Sequence, residues 1–304
     1  MTSPIDINTK GIMAMIPASW RPYAQLMRLD RPIGWWLLVL PSWWSILTAG
    51  LVYGVNLLDC LKLMALFTIG AIVMRGAGCV VNDLWDRDLD RHVARTRTRA
   101  LAAGLITPNR AIIFLAGLCV IGLFVLINLP LVAIWTGLAS LPLIIIYPLA
   151  KRFIGLPQIV LAFTFGWGAL LGWAAHGQMP NELALIMYLA TAFWIFGYDT
   201  IYAIQDMADD KHVGIKSSAL TLGKALSPVV AFCYLMCMGG MLIIGAMRDA
   251  TIIYYLGLTV FAFHLSWQIK RIDLQNPEIA GVIFRSNRDA GLIVSFALIA
   301  EYLF

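Results

Sequence analysis

Residues 60–91 read CLKLMALFTIGAIVMRGAGCVVNDLWDRDLDR, and this stretch decides the fold. Its first part, 60–81, is apolar enough to cross a bilayer, which takes roughly 20 such residues. It ends abruptly in a run of carboxylates, Asp83, Asp86, Asp88 and Asp90. An apolar span that delivers acids to a membrane surface is a pattern foreign to soluble domains.

The rest of the chain agrees. Of 304 residues, 61% are apolar and 13% charged, with a mean hydropathy of +0.81. A soluble domain carries about 25% charged residues, so a soluble enzyme, a disordered chain and a disulfide-rich secreted module are excluded. Eleven Trp and ten Tyr suit bilayer interfaces. The five cysteines lie mostly in apolar stretches, form no C-x-x-C pair, and read as small buried hydrophobes.

Nine spans are expected, over 33–53, 60–81, 110–128, 130–148, 157–176, 183–204, 226–246, 251–268 and 288–304. They form a single domain, 33–304, preceded by a tail, 1–32, whose Trp20–Asp30 segment mixes Trp, Tyr, Leu, Met and Arg and suits the interface. The tail lacks the apolar core of a signal peptide. Alternate loops, beginning with the tail, hold 19 of the 22 Lys and Arg. By the positive-inside rule the N-terminus is cytoplasmic and the C-terminus lies on the opposite side.

Eight of the 17 acids fall in two short segments at cytoplasmic span ends. At 100° per residue, Asn82, Asp83, Asp86 and Asp90 share one helix face and Asp88 points the other way. In the second segment Asp199, Tyr202, Asp206 and Asp210 share a face. Solvated helix ends paired with nearby arginines could explain one such stripe, but two on the same side of the membrane favour function. Crowded carboxylates repel unless cations lie between them. Hard oxygen ligands select Mg²⁺ or Ca²⁺, and Mg²⁺ is commonly shared between one or two carboxylates and substrate phosphates. The metal ligands expected are therefore Asn82, Asp83, Asp86, Asp90, Asp206 and Asp210, serving a Mg²⁺–diphosphate. Arg87, Lys151, Arg152 and Lys216 lie on the same side. Arg75, two turns inside its span on the face of the first stripe, is a functional residue by position, and Arg31 near the first span is a weaker candidate.

These motifs resemble those of the UbiA family of membrane aromatic prenyltransferases, in particular its 4-hydroxybenzoate branch. The family pattern N-D-x-x-D-x-x-x-D is met by Asn82, Asp83, Asp86 and Asp90. The pattern D-x-x-Y-A-x-x-D-x-x-x-D is met by Asp199, Tyr202, Ala203, Asp206 and Asp210. The flanks Arg28–Gly34, Met74–Cys79, Tyr147–Arg152 and Gly214–Ser217 look like the same branch. One departure is Arg99–Ala100, where the family usually has Arg-Pro. The resemblance implies an all-α integral membrane protein with nine transmembrane helices around a central cavity, both motifs lying at its cytoplasmic mouth. It implies a polyprenyl diphosphate donor, a 4-hydroxybenzoate acceptor, Mg²⁺, ubiquinone biosynthesis, and a bacterial or mitochondrial inner membrane.

In the chemistry so implied, Asp83, Asp86 and Asp206 are catalytic through the metal. Arg87, Lys151, Arg152, Lys216, Asp199 and Arg75 bind substrate, with Arg75 or Arg31 meeting the acceptor carboxylate. Tyr147 and Tyr202 face an allylic cation, a contact worth ~1–2 kcal/mol each when desolvated. The same fold with a naphthoate or porphyrin acceptor is the nearer alternative. A cation-coupled transporter is the more distant one, since transporter carboxylates usually lie near the midplane on broken helices.

Overall fold

The computed structural model describes residues 12–92, 96–213 and 217–304; at Ile12, Leu89, 148–153 and 208–213 it describes the backbone alone. No β-strand occurs among the described residues; the helices satisfy their backbone polar groups internally, which is one of the two solutions open to a chain in hydrocarbon. The helices are α1 (Ile12–Met15), α2 (Arg21–Leu26), α3 (Ile33–Tyr53), α4 (Leu57–Trp85), α5 (Arg87–Asp90), α6 (Pro108–Ile127), α7 (Leu131–Leu138), α8 (Leu141–Phe153), α9 (Gln158–Gly166), α10 (Gly168–Ala174), α11 (Glu182–Val213), α12 (Ser218–Leu222), α13 (Leu226–Met247), α14 (Ile252–Lys270) and α15 (Pro277–Glu301).

Six helical stretches among the described residues are long and apolar enough to cross a membrane: Ile33–Tyr53, Leu57–Trp85, Pro108–Ile127, Glu182–Met207, Ser218–Met247 and Ile252–Lys270. The chain is an integral membrane protein. The other three expected spans are also helical but differ from the expectation. The fourth is divided between α7 and α8, where the Ser140 hydroxyl donates to the Gly137 carbonyl at 2.6 Å and Pro142, lacking an N–H, restarts the helix. The fifth is divided at Trp167, between two glycines. The last begins at Pro277 rather than 288, because Asn276 caps it by accepting from the Ile279 N–H at 3.1 Å and Pro277 supplies a preset first turn. Glu278, Arg285, Arg288 and Asp289 dilute the hydropathy of this helix and conceal its true start.

The chain divides into two compact units, 1–36 with 66–128, and 37–65 with 129–304. In the first, Leu26 packs with Val73, Ala77 and Val80 of α4, with Ala100, Leu101 and Ile106 of the connecting segment, and with Ala111 and Leu118 of α6. Tyr23 lies 5.0 Å from the Phe114 ring. Thr107 and Pro108 start α6, the Thr107 hydroxyl accepting from the Arg110 N–H. Ala100, the position of the departure noted above, is fully buried, and its carbonyl accepts from Leu105 N at 2.9 Å.

The second unit is organised around aromatic side chains with satisfied polar tips. Trp44 of α3 stacks on Trp194 of α11 at 4.9 Å and donates to the Gly291 carbonyl. Trp194 donates to Asn287 Oδ1 at 3.0 Å, and Tyr234 donates to Gln268 Oε1 at 2.6 Å. Each bond pairs a buried polar group that would otherwise be costly. Small residues allow helices to approach closely: a Cβ at Gly172 of α10 would lie 2.6 Å from the Ser42 carbonyl of α3. All five cysteines are reduced, four of them buried.

Candidate active site

The first motif lies in the first unit. The helical hydrogen bonds continue past the end of α4, Asp86 N to Asn82 O at 2.9 Å and Asp90 N to Asp86 O at 2.8 Å. The backbone therefore keeps the turn assumed from the spacing. Asp83 is 1% exposed and Asp90 6%. Asp86 is half-buried and Asn82 exposed. The Asp88 side chain is 85% exposed and faces Arg91 at 3.4 Å. The polarity of this face follows the helical wheel, with Asp83 inside and Asp88 outside.

Two arginines that spacing did not single out hold the buried carboxylates. Arg28 Nη2 donates to Asp83 Oδ1 at 2.6 Å. Arg99 Nη1 lies 3.3 Å from the same oxygen and 2.8 Å from Asp90 Oδ2. The backbone around Arg28 explains its reach. Helix α2 ends with Leu29 N on the Ala24 carbonyl at 3.0 Å and Arg28 N on the Gln25 carbonyl at 2.9 Å, which is the Schellman arrangement. It places Arg28 at φ +60°, where glycine is the usual occupant. The Arg28 Nη1 returns to the Gln25 carbonyl at 3.0 Å, fixing the guanidinium between its own helix end and Asp83.

The second oxygen of Asp83, Oδ2, is buried and has no hydrogen-bond partner among the described residues. An ionised oxygen in that state is expensive unless a cation reaches it. Among the described residues, no three His, Cys, Asp or Glu side chains gather into a metal cluster. A buried carboxylate oxygen with an open lone pair still fits Mg²⁺, which needs only one or two carboxylates when phosphate supplies the rest.

Arg75, on α4, donates to Cys79 Sγ at 3.1 Å, and its Nε is buried without a hydrogen-bond partner among the described residues. A Cβ at Gly34 would lie 2.9 Å from that Nε, so the glycine lets the guanidinium lie against the backbone at the start of α3. The Arg31 side chain is 79% exposed, 3.5 Å from Asp30. Arg87 lies 4.0 Å from Asp88.

The second motif lies in the second unit, on α11, which runs unbroken through Asp199, Tyr202, Asp206 and Asp210. The i, i+3, i+7, i+11 spacing keeps these four on one face. Asp199, Tyr202 and Asp206 are half-buried, as is Tyr147 on α8. The Tyr202 ring packs 4.6 Å from Phe284 of α15. The side chains of Asp210, Lys151 and Arg152 lie outside the described residues, and Lys216 lies outside them altogether.

The model of the UbiA prenyltransferase family matches residues 38–287. The mitochondrial 4-hydroxybenzoate polyprenyltransferase of Saccharomyces cerevisiae is 40% identical over 297 residues, covering 96% of this chain and 79% of its own length. The human protein of the same name is 40% identical over 296 residues, covering 97% and 79%. Among solved structures, a UbiA homolog from Aeropyrum pernix K1 superposes with a TM-score of 0.70 at 21% identity, over 86% of this chain and 97% of its own. A UbiA homolog from Archaeoglobus fulgidus, bound to GPP and Mg²⁺, gives 0.63 at 15% identity, over 92% and 99%.

Proposed function

The chain belongs to the UbiA prenyltransferase family, and from that membership we infer that it transfers a polyprenyl group from its diphosphate to 4-hydroxybenzoate in ubiquinone biosynthesis. The near full-length identity to proteins named for this reaction carries the reading. The group is attached at the ring carbon ortho to the phenol, and diphosphate is released.

Asp83, Asp86 and Asp90 with Asn82, and Asp206 and Asp210, are assigned to Mg²⁺. Held by these residues, Mg²⁺ would supply the charge neutralisation that makes diphosphate a better leaving group. The buried, unpartnered Oδ2 of Asp83 supports that assignment. Arg87, Lys151, Arg152 and Lys216 are assigned to the remaining diphosphate oxygens as charge-assisted donors, and Asp199 to the donor's side of the second motif. As the allylic C–O bond breaks, positive charge develops on the isoprenoid. Tyr147 and Tyr202 offer π faces to that cation, and Phe284 fixes the Tyr202 ring. The electron-rich ring carbon attacks, then loses its proton to restore aromaticity. An apolar, water-poor surround prevents water from capturing the cation.

The acceptor's carboxylate needs a cationic partner away from water. Arg75 is assigned that role ahead of Arg31: its Nε is buried and unpartnered, whereas Arg31 is solvated. We also assign both motifs and the N-terminus to the cytoplasmic side from the distribution of Lys and Arg.

The test is turnover by purified protein with 4-hydroxybenzoate, a naphthoate and a porphyrin as rival acceptors, each with and without Mg²⁺. Metal-dependent prenylation of 4-hydroxybenzoate alone is expected. Preference for either rival acceptor refutes the assignment.

A further inference from the structure

Asp83, Asp90, Arg28 and Arg99 form a group of two negative and two positive charges, nearly shut off from water on the carboxylate side. Both guanidinium contacts to Asp83 fall on Oδ1, at 2.6 Å from Arg28 and 3.3 Å from Arg99. Arg99 also bridges to Asp90 at 2.8 Å. Arg87 and Arg91 differ, since both sit beside the solvated Asp88. The chain also accepts an unusual backbone to place Arg28, holding a residue with a Cβ at φ +60° where glycine is ordinarily found.

This arrangement has an electrostatic consequence. A dication approaching Oδ2 meets a carboxylate whose charge two guanidinium groups already offset, so the metal alone gains little and is repelled by both arginines. A diphosphate alters the balance. Its oxygens match the planar guanidinium fork better than a single shared carboxylate oxygen does. We propose that Arg28 and Arg99 are a counter-ion latch on the first motif: they cover Asp83 and Asp90 until a diphosphate draws the guanidinium groups away, so that metal and diphosphate bind as a linked pair. The proposal rests on the Mg²⁺–diphosphate reading above and adds an order to it. Linkage requires that if diphosphate tightens the metal, the metal tightens diphosphate by the same factor.

The test uses the full chain in nanodiscs, Mn²⁺ as a paramagnetic probe read by electron paramagnetic resonance, and inorganic pyrophosphate at fixed free Mn²⁺. In the wild-type protein, pyrophosphate should tighten Mn²⁺ by at least about tenfold, within the usual range of coupling between sites. Two variants remove one arm each. Arg99→Gln leaves Asp83 with Arg28. Arg28→Gly removes the other guanidinium while supplying the residue that the backbone at this position prefers, which keeps the helix end intact. In both, Mn²⁺ alone should bind about tenfold tighter than in the wild type, and the pyrophosphate effect should shrink toward unity. Arg91→Gln should bind as the wild type does. Unchanged or weaker Mn²⁺ binding in Arg99→Gln and Arg28→Gly, or wild-type binding indifferent to pyrophosphate, overturns the latch and leaves the metal–diphosphate reading standing. No Mn²⁺ binding by the wild type under either condition overturns that reading itself.

Discussion

Asp83→Asn and Asp88→Asn make the same chemical change at two positions five residues apart, one 1% exposed and the other carrying an 85% exposed side chain. Asp83→Asn leaves Arg28 and part of Arg99 without their carboxylate. Breaking a fully buried pair costs about 3–5 kcal/mol. The Arg28 and Arg99 side chains are 21% and 30% exposed and can partly rehydrate, so a loss of about 2–3 kcal/mol is expected. It should register as a fall of several degrees in melting temperature. Removing a charge partner of the transition state costs a further 10²–10³ in rate, to order of magnitude. Asp88 sits in exposed pairs worth about 0–1 kcal/mol, and Asp88→Asn should stay within about twofold of the wild-type rate. The assay is prenyl transfer at saturating Mg²⁺, normalised to folded membrane protein, beside thermal unfolding in the same detergent. Equal losses at the two positions would refute the stripe. A destabilised Asp83→Asn protein with a wild-type rate would leave Asp83 a structural residue only.

Other outcomes follow from the same contacts. Arg75→Ala should raise the KM for 4-hydroxybenzoate about ten- to a hundredfold, the equivalent of a lost charged hydrogen bond, with the donor KM unchanged; Gly34→Ala should shift it in the same direction by displacing Nε. A change confined to the donor would move Arg75 to the diphosphate. Asn287→Leu should lower stability by about 1–3 kcal/mol by stranding the Trp194 N–H, with both KM values intact, and an unchanged melting temperature would contradict the bond. Reporter fusions after residues 95, 180, 215 and 304 should give cytoplasmic, opposite, cytoplasmic and opposite signals, and a cytoplasmic signal at 304 would remove the nine-span topology.

The sequence exposed what is local. Spacing alone separated Asp83 from Asp88, because a turn of 100° per residue persists through Asp90 even though α4 formally ends at Trp85. It did not reveal Arg28 and Arg99. Arg28 reaches a carboxylate 55 residues away from a backbone conformation that its residue type does not advertise. Sequence reading ties Arg28 only to membrane orientation and to a flank that resembles the family, and Arg99 only to orientation and to the Arg99–Ala100 departure, so neither is linked to a carboxylate. The early start of α15 was written in Asn276–Pro277, a cap and a first turn, but hydropathy gave that pair no weight. Asn287 and Gln268 find their partners, Trp194 and Tyr234, on other helices, a pairing that local spacing does not carry.

The product itself tests the account most directly. Purified protein given isotopically labelled 4-hydroxybenzoate, a polyprenyl diphosphate and Mg²⁺ should form a compound heavier by one polyprenyl group, with its phenol and carboxylate free and the new bond on the carbon ortho to the hydroxyl. Mass spectrometry and NMR of that compound would establish the transfer. An ether or ester of 4-hydroxybenzoate, or no labelled product while the diphosphate is consumed, would contradict it.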